Sequence, residues 1–374
     1  MKNQSKLDVP REHWDRLDGP QPLPEWFGRF RLRVGVGNDA KCTSQDKRGL
    51  NMRLTLAVVT LLASLFCNGF VGTYAIAQTT VRIATPGPSP SYLPIEVARK
   101  NGFFRKRGIN VEYIQMVPAI SVPALLNGEI DYSTVPAPAA VAAARGLPVR
   151  VISFTSVKLQ HTLVSRPEIR SPLDLAGKKI GIARAGDLTA FEAQFIIGKY
   201  RLGQDTTLVS IPDSSQRLEA VKLGLVDAAI QNPVHAVRAE EMMGLRRILE
   251  VGDILEIPQV GLVTSLEKIN NNRGSVLQVV EAMIEGLIYT RSQSHREEVI
   301  NIIAKWVSLD EVKATKVYES VKNTFSRYGV PSQKQESAYL SMLKATAGLP
   351  ENASPGVIFE FSLAEEAAKK LGVK

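Results

Sequence analysis

The sequence predicts an α/β protein of two lobes, each lobe a mostly parallel sheet flanked by helices. Its 374 residues suffice for two such lobes, and 44% apolar with 22% charged residues is the composition of a folded globular chain. Strand-like segments alternate with helical segments twice along the chain, which is the pattern of parallel sheets. Gly128-Glu129-Ile130-Asp131 also recurs as Gly224-Leu225-Val226-Asp227, so we expect the two lobes to share one plan.

The first unit begins with a strand near Val81–Ala84 and a turn rich in proline and serine. A helix follows, because Pro94 suits a first helical turn and Asn101-Gly102 suits a helix end. The remaining predicted elements are a strand at Ile109–Met116, a helix at Ser121–Leu126, a strand at Tyr132–Val135 and a helix opened by Pro136 or Pro138.

The second unit repeats this order. Its predicted elements are a strand at Lys179–Ala183, a turn at Arg184–Leu188, a helix at Thr189–Tyr200, a strand at Thr207–Ile211, a helix at Ser214–Leu223, a strand at Ala228–Ile230 and a turn at Gln231–Pro233 that leads into another helix. In the first of these helices, Leu188, Phe191 and Phe195 share one face at helical spacing, so we expect them, with Leu202, to face the sheet.

The chain beyond Ser265 carries apolar residues at helical spacing only, beginning with Val276, Val279, Val280 and Met283. We therefore expect a helical tail. It is long enough to return and pack on the first lobe.

An export signal is predicted near the N-terminus. Residues 54–66 form an uncharged apolar run, preceded by Lys47, Arg48 and Arg53 and followed by Ala75-Ile76-Ala77. This order predicts a signal peptide at 52–77, cleavage after Ala77 and a periplasmic location. The alternative is an anchor in which 54–77 remain and span a membrane. Residues 1–51 show no apolar periodicity, and we interpret them as a poorly structured extension, an artefact of a start that belongs at Met52; the alternative is a cytoplasmic or linker tail.

Charge and cysteine content exclude several classes of function. The net charge is +9, but part of the excess lies in residues 1–51 and the rest is spread over mixed-sign helices. No stretch interleaves basic and aromatic residues, so we expect no nucleic acid partner. The only cysteines are Cys42 and Cys67, which excludes a disulfide scaffold and a Cys-based zinc module. We expect no metal and no cofactor.

Several segments carry a resemblance to a known family. They are Tyr92–Phe104, Arg105–Glu112, Leu125–Asp131, Ala144–Val149 and Ser171–Gly181. In this order they resemble the periplasmic substrate-binding proteins of ABC transporters of the nitrate/sulfonate/taurine and thiamine-pyrimidine-precursor type. The resemblance implies a type II periplasmic-binding-protein-like fold with a hinge of two crossing strands. It also implies a small-molecule solute, and an ABC permease with its ATPase as partners.

On this resemblance, 79–158 plus 266–374 form lobe I and 159–265 form lobe II. The hinge strands are expected near Thr155–Leu163 and Gly261–Ser265. The implied solute is a small organic or anionic molecule of the sulfonate, nitrate, taurine, aromatic carboxylate or pyrimidine class, and the protein is expected to be a monomer.

The candidate binding site follows from the topology. Open α/β sheets bind ligands beyond the carboxyl ends of their strands, where turns lead into helices. Helix N-termini there present unpaired N–H groups that suit a carboxylate or a sulfonate. The predicted ligand-binding residues are Ser89, Ser91, Tyr92, Pro136, Ala137, Gly186, Asp187, Leu188, Thr189, Gln231 and Asn232. Capping of the following helix is the alternative role for Ser91 and for Asp187.

Two other functions are compatible with this fold. One is an enzyme that resembles the hydroxymethylpyrimidine synthase of thiamine biosynthesis, which depends on a cysteine-rich motif and a pyridoxal-phosphate lysine. Residues 78–374 contain no cysteine, and no nucleophile–base constellation stands out, so we expect no catalytic residue. The other is a receptor subunit that presents its ligand to a membrane sensor.

Overall fold

Two five-stranded sheets form the framework of residues 78–373, which are the residues that the computed structural model describes. The strands are β1 (Thr79–Thr85), β2 (Ile109–Gln115), β3 (Tyr132–Ser133), β4 (Val149–Phe154), β5 (Thr162–Ser165), β6 (Lys179–Ile182), β7 (Thr207–Ser210), β8 (Ala228–Gln231), β9 (Arg246–Glu250) and β10 (Gly261–Ser265). We call the layers around the first sheet (β1 to β4 and β10) the first lobe, and those around the second (β5 to β9) the second lobe.

Helices cover these sheets and make up the chain after β10. They are α1 (Leu93–Lys100), α2 (Ser121–Leu126), α3 (Pro136–Ala144), α4 (Leu188–Tyr200), α5 (Ser214–Lys222), α6 (Pro233–Met243), α7 (Val251–Ile254), α8 (Leu266–Asn271), α9 (Arg273–Arg291), α10 (Arg296–Trp306), α11 (Glu311–Val321), α12 (Gln333–Ala347), α13 (Pro355–Ile358) and α14 (Ser362–Lys370).

The two sheets have the same topology. Their strand orders are β2-β1-β3-β10-β4 and β7-β6-β8-β5-β9. In the first sheet, β1 pairs in parallel with β2 and β3, and β10 pairs antiparallel with β3 and β4. In the second sheet, β6 pairs in parallel with β7 and β8, and β5 pairs antiparallel with β8 and β9. The antiparallel strand of each sheet, β10 or β5, is the one that enters from the other lobe. The predicted α/β fold of two mostly parallel sheets is confirmed.

Local sequence signals account for most element boundaries. Pro94 and Pro136 lie in the first turns of α1 and α3, where the missing N–H costs little. The helices α4 and α6 begin at side-chain caps, Asp187 and Asn232, which accept hydrogen bonds from the N–H groups of Ala190 and His235.

The buried face of α4 differs from the predicted one. Ala190, Ala193 and Ile196 are fully buried, whereas Phe191 and Phe195 are half-buried. Small side chains let the helix axis approach the sheet closely, and the bulky Leu188, Phe191 and Phe195 pack at the margin of the core, each half-buried. Leu202 is buried as expected.

Two connections between the lobes run side by side. They are residues 155–161, between β4 and β5, and 251–260, between β9 and β10. The N–H groups of Thr155 and Ser156 both donate to the Val260 carbonyl, at 2.8 and 3.1 Å. A third segment joins them, because Val157 N–H donates to the Thr324 carbonyl and Ser326 N–H donates to the Thr155 carbonyl, both at 2.8 Å.

The helical tail contacts both lobes. Helices α9 and α14 pack on the first lobe, whereas α11 also packs against α6, and α12 packs against both α3 and α4. One apolar cluster therefore runs from the first sheet through Tyr339, Met342 and Leu343 of α12 into the second sheet. The lobe boundaries at 158/159 and 265/266 stay predictions.

Part of the sequence analysis concerns residues that the structure does not describe. The extension at 1–51, the signal peptide at 52–77 and cleavage after Ala77 lie outside the described residues. Within 78–373, no helix combines the length and the apolar character that crossing a bilayer requires.

Candidate functional site

A cavity of about 450 Å³ lies where the two lobes and α12 meet. Its lining residues come from six segments of the chain and are Ser91, Tyr92, Pro118, Thr134, Val135, Ala137, Pro138, Gly186, Asp187, Leu188, Pro258, Gln259, Val260, Tyr339, Met342, Leu343, Thr346 and Ala347. The volume and the mostly apolar lining are typical of a small-molecule site.

The first-lobe wall contains the turn between β1 and α1. Ser89 caps a 3-10 turn at Pro90–Tyr92, where its hydroxyl accepts a hydrogen bond from Ser91 N–H. The cap is therefore Ser89 rather than Ser91, which leaves Ser91 on the cavity wall. Burial raises the pKa of Tyr92 to about 12, and a hydrogen bond with the Thr134 side chain opposes part of that rise. Tyr92 is thus a neutral hydroxyl at physiological pH.

The start of α3 forms the rest of this wall. Val135 is the N-cap residue, and Pro136 and Pro138 follow in the first turn. Val135, Ala137 and Pro138 line the cavity, and Pro136 is not among the lining residues. The Thr134 hydroxyl donates to the Ala84 carbonyl at 3.0 Å, which joins this wall to β1.

The second-lobe wall is the turn between β6 and α4. Gly186 has φ +78°, a left-handed backbone that glycine adopts without strain. Asp187 both lines the cavity and caps α4. Its carboxylate accepts hydrogen bonds from Ala190 N–H (3.0 Å), the Thr189 hydroxyl (2.7 Å) and Arg184 N–H (3.1 Å).

One face of α12 forms the third wall. Tyr339, Met342, Leu343, Thr346 and Ala347 all line the cavity. Sequence reasoning did not select them, although their spacing of three and four residues marks a single helix face. That spacing predicts burial, but it does not tell which surface the helix covers.

The connection from β9 to β10 (residues 251–260), which we call the return connection, forms the floor with Pro258, Gln259 and Val260. The Gln259 side chain is tied to the other connection, since its Oε1 accepts a hydrogen bond from Gln160 N–H at 3.2 Å. Sequence analysis missed these residues too, because nothing local distinguishes them from an ordinary loop.

Five predicted site residues are not among those that line the cavity. Ser89 and Asn232 cap helical turns, and Thr189 donates to Asp187. Gln231 is fully buried, and its Nε2 donates to the Ser214 carbonyl at 3.3 Å. Pro136 opens α3. Of the predicted set, the cavity brings together Ser91, Tyr92, Ala137, Gly186, Asp187 and Leu188. Ligand binding stays a prediction for every one of these residues.

A buried ionisable pair lies behind the second-lobe wall. His161, at the end of one connection, places its Nδ1–H 2.8 Å from both carboxylate oxygens of Glu192, whose side chain is 0% exposed. Burial acts to lower the pKa of His161, but the charge and hydrogen bond of Glu192 outweigh it, and the pKa lies above 6.5. This pair fixes α4 to the connection.

The lining is poor in charge. None of the lining residues in the described part of the chain is a lysine, an arginine or a histidine, and Asp187 is the one carboxylate. Within residues 78–373, no three His, Cys, Asp or Glu side chains cluster as metal ligands would.

Each sheet has its first strand between its second and third, and the strand that enters from the other lobe lies between its third and fourth. Two sheets of this order, joined by paired connections around a cavity, define the type II periplasmic-binding-protein fold. The chain belongs to the NMT1/THI5 like family, whose model matches residues 89–296. No curated protein matches the sequence.

Solved structures share this fold at low identity. The periplasmic aliphatic sulphonate binding protein SsuA from Escherichia coli is 17% identical with a TM-score of 0.62, over 76% of this chain and 92% of that chain. The periplasmic nitrate-binding protein NrtA from Synechocystis PCC 6803 is 14% identical with a TM-score of 0.61, over 79% and 90%. The desulfurization enzyme DSZB is 15% identical with a TM-score of 0.58, over 79% and 100%.

Proposed function

We propose that this chain is an exported solute-binding protein that captures a small organic solute between its lobes and delivers it to an ABC importer. The observation that carries the proposal is the cavity of about 450 Å³, with walls from both lobes and from α12. A solute that contacts both lobes binds most strongly when the lobes are close together, so capture and closure are coupled.

Family membership and the fold relatives support the proposal. Two of those relatives are described as periplasmic binding proteins, for aliphatic sulphonates and for nitrate. By analogy, the partners of this chain are the solute, an ABC permease and its ATPase, and its location is the periplasm after cleavage behind Ala77. The solute classes that the resemblance implies are sulfonate, nitrate, taurine, aromatic carboxylate and pyrimidine.

Binding without chemistry fits the cavity better than catalysis does. The fold alone does not decide, because DSZB is an enzyme of the same fold. The one carboxylate among the described lining residues, Asp187, accepts three hydrogen bonds from its own turn and helix, which is the arrangement of a helix cap. Residues 78–374 also contain no cysteine to act as a nucleophile.

Small-angle scattering tests the proposal. The full chain, purified from its own host, is measured as isolated and again after its solute is removed by unfolding, dialysis and refolding. We expect a smaller radius of gyration as isolated, and a small molecule released in about one copy per chain. Equal radii together with no released molecule would refute the proposal.

A variant pair links the result to the cavity. Ala137→Trp places an indole in the lining and should abolish solute retention. Ala119→Trp, at an exposed position outside the lining, should retain it.

A further inference from the structure

We propose that the solute is uncharged and largely apolar, with a hydrogen-bonding group that pairs with the Tyr339 hydroxyl, rather than a sulfonate, nitrate or carboxylate. This inference rests on the proposed function and narrows its substrate class. Three features of the cavity carry it: its helix N-termini, its charges and one buried hydroxyl.

The N-terminus of α3 at the cavity has few of the donors that bind anions. Helix N-termini hold anions through the unpaired N–H groups of their first residues. At α3, prolines occupy the first and third helical positions, 136 and 138, so Ala137 is the only one of the first three residues with an N–H. The N–H of the cap residue Val135 is already donated to the Ser133 hydroxyl at 3.3 Å.

At α4, the position that an anion would take is already filled. The Asp187 carboxylate caps this helix and accepts hydrogen bonds from Ala190 N–H and Arg184 N–H. A second anion here would lie beside that carboxylate, and like charges at this range repel. Arg184 takes part through its backbone, and its exposed side chain is not among the lining residues.

The walls offer an anion no counter-charge. The described lining contains no lysine, arginine or histidine. Burial of a charge without a partner costs far more than burial of a neutral polar group. Apolar side chains from all the walls, such as Leu188, Val260 and Met342, favour a ligand with an apolar body.

One buried hydroxyl beside the cavity has no partner. Tyr339 is 1% exposed, borders the cavity, and its hydroxyl makes no hydrogen bond within the described part of the chain. A buried polar group without a partner is costly, so a ligand that supplies one binds more tightly. Its ring is held edge-on by Phe154, with centroids 5.1 Å apart, which fixes the position of the hydroxyl.

Pairs of probes that match in shape and differ in charge test the substrate class. Benzamide is compared with benzoate, and benzenesulfonamide with benzenesulfonate, by calorimetry on the full chain freed of its own solute. We expect each uncharged member to bind at least tenfold more tightly than its anion. Equal or tighter binding of the anions would overturn the inference and leave the proposed function standing.

A measurement on the native solute separates the remaining outcomes. The molecule released from the chain as isolated is identified by mass spectrometry. A released sulfonate, nitrate or carboxylate overturns the inference alone, whereas a neutral molecule supports it even if none of the four probes binds. No released molecule, no probe binding and no compaction would overturn the proposed function as well.

The Tyr339 hydroxyl is tested with a matched control. Tyr339→Phe should weaken benzamide binding about fivefold, the worth of one neutral hydrogen bond, without lowering the Tm of the unliganded protein. Tyr132→Phe is the control, because the Tyr132 hydroxyl is also buried without a partner among the described residues but does not line the cavity. Unchanged binding in Tyr339→Phe, or a lower unliganded Tm, would refute the assigned role.

A charge added to the wall tests the electrostatic argument directly. Thr346 lines the cavity, and its hydroxyl donates only within α12, to the Met342 carbonyl at 2.8 Å. Thr346→Lys should shift the preference from benzamide toward benzoate by about tenfold or more, since it supplies the missing counter-charge. Thr346→Met adds a side chain of similar length to lysine but no charge, so it should leave the preference between benzamide and benzoate unchanged. An unchanged preference in the lysine variant would contradict the inference.

Discussion

Replacement of His161 by alanine should destabilise the protein more than replacement of its partner Glu192 by glutamine. The Glu192 side chain is 0% exposed, and His161 places one N–H 2.8 Å from both of its oxygens. His161→Ala leaves this carboxylate buried without its counter-charge, at a cost of about 3–5 kcal/mol. Glu192→Gln leaves a neutral side chain of the same shape that still forms a hydrogen bond, so we expect about 1 kcal/mol.

The same pair makes stability depend on pH with a definite sign. Burial and Arg217 act to lower the pKa of His161, but Glu192, with a smaller contribution from Asp187, holds it above 6.5. A histidine whose pKa is raised on folding contributes stability that is fully present below its unfolded pKa and is lost as the pH rises through the folded value. The stability of the wild type should therefore fall as the pH rises from about 6.5 through the raised pKa. Glu192→Gln should flatten this fall.

Urea unfolding followed by circular dichroism measures both effects, at pH 6 and at pH 9. The double variant His161→Ala/Glu192→Gln is the control, because it removes both charges of the pair and should recover most of the loss seen in His161→Ala. The explanation fails if His161→Ala costs no more than Glu192→Gln, or if the wild type becomes more stable as the pH rises through this window.

Three further predictions concern other parts of the chain. Asn232→Ala should cost about 1 kcal/mol of stability through loss of the α6 cap, with unchanged solute affinity; a loss of affinity in calorimetry would place Asn232 in the site after all. Gly286→Ala should destabilise by about 1–3 kcal/mol, since the new Cβ would lie 2.2 Å from the Pro94 carbonyl oxygen, whereas Gly274→Ala, with nothing within 4 Å, should be neutral in thermal unfolding. The exported form should begin at Gln78, and an intact mass that retains residues 54–77 would favour the anchor instead.

Much of the fold could be predicted because its signals are local. Proline at the start of α1 and α3, and a preferred cap residue before α4 and α6, mark helix starts without reference to the rest of the chain. The repeated Gly-x-x-Asp motif indicated the duplication, and the identical strand orders of the two sheets confirm it.

The site could be predicted only in part, because its walls come from segments that are far apart in the sequence and meet only through tertiary packing. The turns at Ser91–Tyr92 and Gly186–Leu188 follow parallel strands, so the topology rule finds them. Tyr339 and Gln259 follow no strand of this kind, and their place on the wall depends on where α12 and the return connection pack. Asn232 also obeys the rule, and in the structure its side chain caps α6, because capping and ligand binding draw on the same side chains.

The third segment, residues 324–326, which lies beside the two connections between the lobes, has a mechanical consequence. Two connections alone would leave the lobes free to twist as well as to bend. Hydrogen bonds from the N–H groups of Val157 and Ser326 hold residues 324–326 alongside the 155–161 connection. Three segments that are hydrogen-bonded side by side resist twisting more than two do. The same segment leads within a few residues into α12, where the Gln335 side chain donates to the Val157 carbonyl at 3.2 Å. The helix α12 is therefore joined to the hinge as well as to both sheets, and the wall that carries Tyr339 is coupled to any bend between the lobes.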